Sequence, residues 1–145
     1  LKPEMSAVKV TDAIIESIKN RSHELIVVNF ANGDMVGHTG NFEAAVKAIE
    51  TLDACIARVE EAVLAADGQA LITPDHVNCE QMHDHDTEQP QTQHTTEPVP
   101  LVYIGRHGRK FREAPGVLAD IAPTILDLMA ISKPGAMTGE SLLST

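Results

Sequence analysis

The sequence has no tryptophan, one tyrosine and three phenylalanines, so its core must be aliphatic, packed from valine, isoleucine, leucine and alanine without large rings to anchor it. Two cysteines, Cys55 and Cys79, exclude a disulfide framework. Cys55 falls inside a helical pattern and reads as a reduced, half-buried filler. Basic residues are scarce as well: 11 Lys and Arg against 21 Asp and Glu leave a net charge of −10. A nucleic-acid partner, whose phosphates require a basic footprint, is thereby excluded. Any anionic substrate would need metal ions, or Arg and Lys held elsewhere. There is no apolar run near the roughly 20 residues of a membrane span and no signal-peptide core. These absences lead us to expect a soluble, cytoplasmic protein with no membrane partner. The chain opens Leu1-Lys2-Pro3 with no initiator Met, and the expectation is a piece of something longer.

What is present reads as alternating helices and buried strands. Ser6 is placed to cap a first helix running to about Ile18, with Val8, Val10, Ala13, Ile14 and Ile18 at helical spacing. Asn20, Arg21 and Ser22 end it. Residues 25–28, LIVV, form a short β-branched run that suits a strand covered on both faces. Asn41 can cap a long helix, with Glu43 complementing its dipole. In that helix Phe42, Ala45, Val46, Ile49, Leu52, Ile56, Val59 and Val63 make one apolar stripe, and Asp67-Gly68 stops it. Residues 70–73 and 101–104 read as the second and third strands. Strand, helix, strand is a βαβ unit, which predicts a mostly parallel α/β sheet with helices on both faces. Residues 83–100 are polar and read as a long loop without structure of its own. The basic stretch 106–113 reads as a solvated loop. Asp120 can cap a last helix through Met129, with Pro123 in its first turn.

The chain is organised around residues 29–40, NFANGDMVGHTG. Asp34 and His38 stand four apart, in what reads as a loop leaving the first strand. Asp75 and His76 follow the second strand in the same way. Loops at the carboxyl ends of strands are where open α/β sheets build their sites, so the two acidic–imidazole pairs read as one metal centre on one sheet edge. Carboxylate oxygen with imidazole nitrogen suits Mn²⁺, Zn²⁺, Co²⁺ or Fe²⁺, and the lack of thiolate ligands argues against a structural zinc site. Taken singly, a loop Asp serves turns and caps, and His94 in a polar loop is a solvated histidine; the pairing gives the set its meaning. Thr39 and Thr73 read as turn and strand-end residues. His83 and His85 read as part of a solvated acidic loop, and His23 and His107 as surface residues. Arg106, Arg109, Lys110 and Arg112 could meet a phosphate but read first as a solvated face. There is no nucleophile elbow and no phosphate-cradling glycine loop.

The segments NGDMVGHTG, ITPDHVNCEQM, QHTTEPVPLVYIG and LADIAPTILDLM, with MTGESL after them, resemble in that order the C-terminal part of the cofactor-independent phosphoglycerate mutases. These enzymes belong to the alkaline phosphatase superfamily. The resemblance implies an alkaline phosphatase-like α/β fold, with residues 1–145 as the C-terminal segment of an incomplete, phosphatase-like metal-binding domain. It implies an isomerase that interconverts 3-phosphoglycerate and 2-phosphoglycerate through a phosphoserine, with two Mn²⁺ ions; Zn²⁺, Co²⁺ and Mg²⁺ are the alternatives. It further implies that Asp34, His38 and His94 hold one ion, and Asp75 and His76 the other. The nucleophilic Ser, one more Asp and the substrate-gripping residues would come from a missing N-terminal part of the same chain. The isolated segment is then expected to be inactive and prone to self-association. Where Gly33, Pro74, Val77 and Cys79 stand, the family usually has Pro, Ala, Gly and Ala. Two other readings compete: another superfamily enzyme, such as a phosphopentomutase or phosphatase-like hydrolase, and a non-catalytic metal-binding fragment.

Overall fold

The computed structural model describes residues 2–77, 79, 82–84, 89–90 and 97–144. Two compact units make up the chain, Leu1–Ile104 and Gly105–Thr145. In the first, helix α1 (Ala7–Lys19) begins after Ser6, whose hydroxyl makes no capping bond. Its buried residues Ala7, Thr11 and Ile14 recur at four and three, the spacing of one helix face, and α1 packs on α3. A short helix, α2 (Asn32–Gly37), occupies what the sequence suggests is loop. Two glycines in six residues lower its intrinsic propensity. Packing overrides that, because Val36 joins Ala45 and Ala48 in one buried cluster.

The long helix α3 (Phe42–Ala65) starts as expected: the Asn41 side chain accepts the Ala44 N–H at 2.9 Å, satisfying one of the orphan donors of the first turn. The stripe it buries is different. Ala45, Ala48, Cys55 and Val63 are buried, while Phe42, Val46 and Ile49 remain exposed. Small side chains let helix axes approach closely, and α3 packs against both α1 and α2. Cys55 is accordingly buried to 2% exposure, not half-buried.

Three helices end in the same way. After α1, Ser22 N–H bonds Ser17 O and Arg21 N–H bonds Ile18 O; after α3, Gly68 N–H bonds Val63 O and Asp67 N–H bonds Leu64 O; after the last helix, α4 (Ile121–Leu128), Ile131 N–H bonds Leu126 O and Ala130 N–H bonds Asp127 O. These are Schellman motifs. The left-handed position is filled by Arg21 (φ 49°), Asp67 (φ 56°) and Ala130 (φ 55°) rather than by glycine.

Strands β1 (Gln69–Ile72) and β4 (Val102–Gly105) pair with each other, so the second and third expected strands are adjacent. The first expected strand is not formed among the described residues: residues 25–28 lie outside every ladder, and Leu25, Ile26, Val27 and Val28 are exposed, Val27 to 81%. A continuously apolar run signals that a strand will be covered, but it cannot form a ladder without neighbours. Inside the segment expected to be structureless, β2 (His83–Asp84) and β3 (Gln89–Pro90) pair antiparallel.

In the second unit a 3₁₀ turn at Leu118–Asp120 leads into α4 (Ile121–Leu128). Asp120 stands at the N-cap of α4, yet its side chain does not cap that helix. It reaches back to the Val117 N–H at 2.9 Å and across to the Glu140 N–H at 2.8 Å. Thr124, fully buried, donates to the Asp120 carbonyl (2.7 Å) and accepts the Leu142 N–H (2.9 Å). The basic stretch is exposed in the main, but Arg112 N–H bonds Leu142 O, Ser144 N–H bonds Lys110 O, and Phe111 bridges to Leu143.

Candidate metal centre

The expected centre lies wholly within the first unit. α2 presents Asp34 in its first turn and ends at His38. Four residues apart on a helix, the two side chains share a face, and His38 Nε2 lies 3.1 Å from Asp34 Oδ1. Thus the pair stands on a helix, not in a loop, which makes its spacing rigid. Buried Asn32 donates its side-chain amide to the Pro3 carbonyl at 2.7 Å and anchors the start of α2. Thr39 donates to the Val36 carbonyl and accepts the Asn41 N–H, a turn residue as expected.

The second pair follows β1. Thr73 Oγ1 lies 3.1 Å from the Pro74 carbonyl and 3.0 Å from that of Pro100, fixing the chain as it leaves the strand. Beyond it His76 Nε2 is 3.7 Å from Asp75 Oδ1 and 3.7 Å from Asp34 Oδ1. The Asp34 carboxylate is therefore shared, with His38 and His76 both near its Oδ1. Exposure grades across the set: the side chain of His76 is 30% exposed, Asp34 32% and Asp75 70%. Val77 does not take up a left-handed φ, so the backbone beside His76 is open to a β-branched residue.

The donor set is oxygen and imidazole nitrogen, which fits a divalent ion of intermediate hardness. The donors contact one another directly, and no group of three or more His, Cys, Asp or Glu among the described residues is arranged as a ready cage. His94 and His85 lie outside the described residues, as does the side chain of His83. His23 bonds Ser17 at 2.9 Å on the surface. Arg112 faces Asp120 at 3.6 Å, an ion pair inside the second unit.

One contact at the centre was not signalled by the sequence. Cys79 lies four residues beyond Asp75, and its Sγ is 2.9 Å from the Gly33 carbonyl, one residue before Asp34. Neither a lone cysteine nor a glycine in a polar stretch announces such a meeting across 46 positions.

Comparison with known proteins defines the class. The family model of the metalloenzyme superfamily matches residues 1–133, and the chain belongs to that superfamily. Its similarities are narrower than the class. It is 59% identical over 143 residues to the 2,3-bisphosphoglycerate-independent phosphoglycerate mutase of Pseudomonas fluorescens strain Pf0-1, and 57% identical over 144 residues to that of Pseudomonas aeruginosa strain UCBPP-PA14. Each match covers 99% of this chain and 28% of the relative; the chain thus spans little more than a quarter of the length of the curated relatives it matches. A structure of Leishmania mexicana phosphoglycerate mutase at low cobalt concentration superposes with a TM-score of 0.90 at 30% identity, over 99% of this chain and 29% of that one. The resemblance seen in the motifs holds along the chain, and the fold is that of a part of this mutase. Among the described residues, no helix is long and apolar enough to cross a membrane.

Proposed function

We propose that residues 1–145 are the C-terminal, metal-binding segment of a cofactor-independent phosphoglycerate mutase that interconverts 3-phosphoglycerate and 2-phosphoglycerate through a phosphoserine. The observation that carries this reading is the Asp34 carboxylate, 3.1 Å from His38 and 3.7 Å from His76. It joins the two pairs into one cluster beside β1. Asp34 and His38, with His94, would hold one ion, and Asp75 and His76 a second, with Mn²⁺ the expected metal and Zn²⁺, Co²⁺ or Mg²⁺ the alternatives. Bound there, divalent ions would favour the ionised form of a hydroxyl nucleophile and neutralise charge on a transferring phosphoryl group.

The chain's own residues contribute placement. α2 fixes the Asp34–His38 spacing, and the Thr73 hydroxyl fixes the exit from β1. The nucleophilic Ser, a further Asp ligand and the groups that grip phosphoglycerate belong to an N-terminal part outside this segment. That part would also supply the strands that cover residues 25–28 and complete a mostly parallel sheet with helices on both faces. Alone, the segment keeps that apolar run exposed and self-associates through it. Its net charge and mean hydropathy of −0.08 suit a cytoplasmic protein.

Calorimetric titration of the metal-stripped chain with Mn²⁺ tests the reading. Wild type binds; Asp34→Ala abolishes binding because it removes the carboxylate common to both pairs; Asp75→Ala retains the first ion. Absence of binding by the wild type, or turnover of 3-phosphoglycerate by the segment alone, overturns it.

A further inference from the structure

The metal-centre reading leaves open what holds its two halves together. One half rides on the first turn of α2, the other on the chain beyond β1, and the two ligand pairs are about 40 positions apart in sequence. Their donors must meet to within a few tenths of an ångström for an ion to find both. Among the described residues, one contact that joins the two segments beside the ligands is made by the Cys79 thiol, whose Sγ lies 2.9 Å from the Gly33 carbonyl.

We propose that Cys79 is a positioning residue of this centre, fastening the Asp75–His76 segment to α2 so that His76 faces Asp34. The inference rests on the metal-centre reading and deepens it. Three features support it. The acceptor is a helix carbonyl, and its two lone pairs let it take the thiol proton without losing its own helical bond. The donor is held in place from behind, because Cys79 and Met82 pack against the buried cluster of Val36, Ala45 and Ala48, which also seats α2 on α3. The bond is close to the chemistry on both sides: Gly33 precedes Asp34, and Cys79 follows His76 by three residues. A thiol bonded to a carbonyl by its proton remains a thiol, so Cys79 acts through the ligands and does not join them.

A group hydrogen-bonded directly to a ligand, when removed, lowers metal affinity by about 10- to 100-fold; Cys79 stands one step further out, on the backbone beside Asp34. Because S–H is a weak donor, the expected effect of Cys79→Ala lies at the lower end of that range. The test is titration of the metal-stripped chain with Co²⁺, read by its visible absorption. Wild type, Cys79→Ala and Cys79→Ser are compared, and the thermal midpoint of each metal-free protein is taken alongside. We expect Cys79→Ala to weaken Co²⁺ binding by about tenfold and alter the ligand-field spectrum with little change in the metal-free midpoint. Cys79→Ser, which retains a donor in nearly the same place, recovers most of both. Equal affinity and spectrum in wild type and Cys79→Ala overturn the inference while leaving the metal centre standing. A thiolate-to-cobalt charge-transfer band in the wild type also overturns it, by making Cys79 a ligand. A wild type that takes up no Co²⁺ overturns the metal-centre reading itself, and the positioning role with it.

Discussion

Each of the two units is stabilised internally by different means. The first is organised by small apolar contacts: Ala7, Ile14, Val36, Ala45, Ala48, Cys55 and Val63 are its buried hydrophobic residues on helices, and its polar groups serve mostly to start and stop them. The second has few buried side chains, and two of them, Asp120 and Thr124, are polar. There the backbone is gathered around a carboxylate that accepts the N–H groups of Val117 and, 20 residues beyond the carboxylate itself, Glu140, with Lys133 adding bonds to the Gly139 carbonyl at 2.8 Å and the Glu140 carboxylate at 2.6 Å. An apolar core tolerates rearrangement at some loss of packing. A polar hub tolerates little, because a buried donor left unmatched keeps its full desolvation penalty.

The contrast is sharpest at Gly139. A Cβ there would overlap the Ala119 carbonyl carbon and oxygen and lie 3.0 Å from Asp120 Oδ1, with backbone that cannot swing aside. Gly139→Ala should cost about 3 kcal/mol, seen as faster hydrogen exchange at the Leu142 and Ser144 amides. A loss below about 1 kcal/mol would show the hub to be as pliable as the helical core. Val36→Ala comes next. It removes two methyl groups from a side chain 3% exposed and should cost about 2 kcal/mol in urea unfolding, with no dependence on pH.

Acid should act the other way, on the hub. Hydrogen bonds from Val117 and Glu140, helped by the charges of Arg112 and Lys133 and opposed by burial, hold the Asp120 carboxyl below the usual carboxylate range. The unfolded chain therefore takes up this proton first, near pH 3.9. The stabilisation is present in full above that pH and is lost as the pH falls through it toward the lower folded value. The effect should be smaller than that of either substitution, since a neutral carboxyl still accepts a hydrogen bond. Titration between about pH 5 and pH 2, followed at the Glu140 amide, checks it; Asp120→Asn should flatten the response.

Much of this was legible in the sequence, for reasons that also mark the limits. Asn41 and the helix it caps were readable because capping is local and repeats every turn. Asp34 and His38 were paired in the sequence as an acidic–imidazole set in what read as a loop; that they meet across one turn of a helix was not foreseen. Helix α2 was hidden by Gly33 and Gly37, since its stability comes from Val36 packing on α3 and not from propensity. Residues 25–28 carry the composition of a strand, but composition records what a strand expects to meet, and the described residues do not provide it. Asp120 was seen as a cap, yet its carboxylate serves Glu140, a partner that no local pattern indicates. Cys79 and Gly33 meet for the same kind of long-range reason.

The three helix ends without glycine have a further consequence. At Arg21 and Ala130 a side chain is held in a conformation worth about 1 kcal/mol or more of strain, while Asp67 is of a type that enters it more readily. The left-handed turn at Arg21 and Ala130 is thus imposed by the fold rather than favoured by the residue that stands there, whereas Asp67, followed by Gly68, suits the stop read from the sequence. In the folded chain the corners at Arg21 and Ala130 hold strain that local opening would release, so a glycine at either position should steady the helix end it closes.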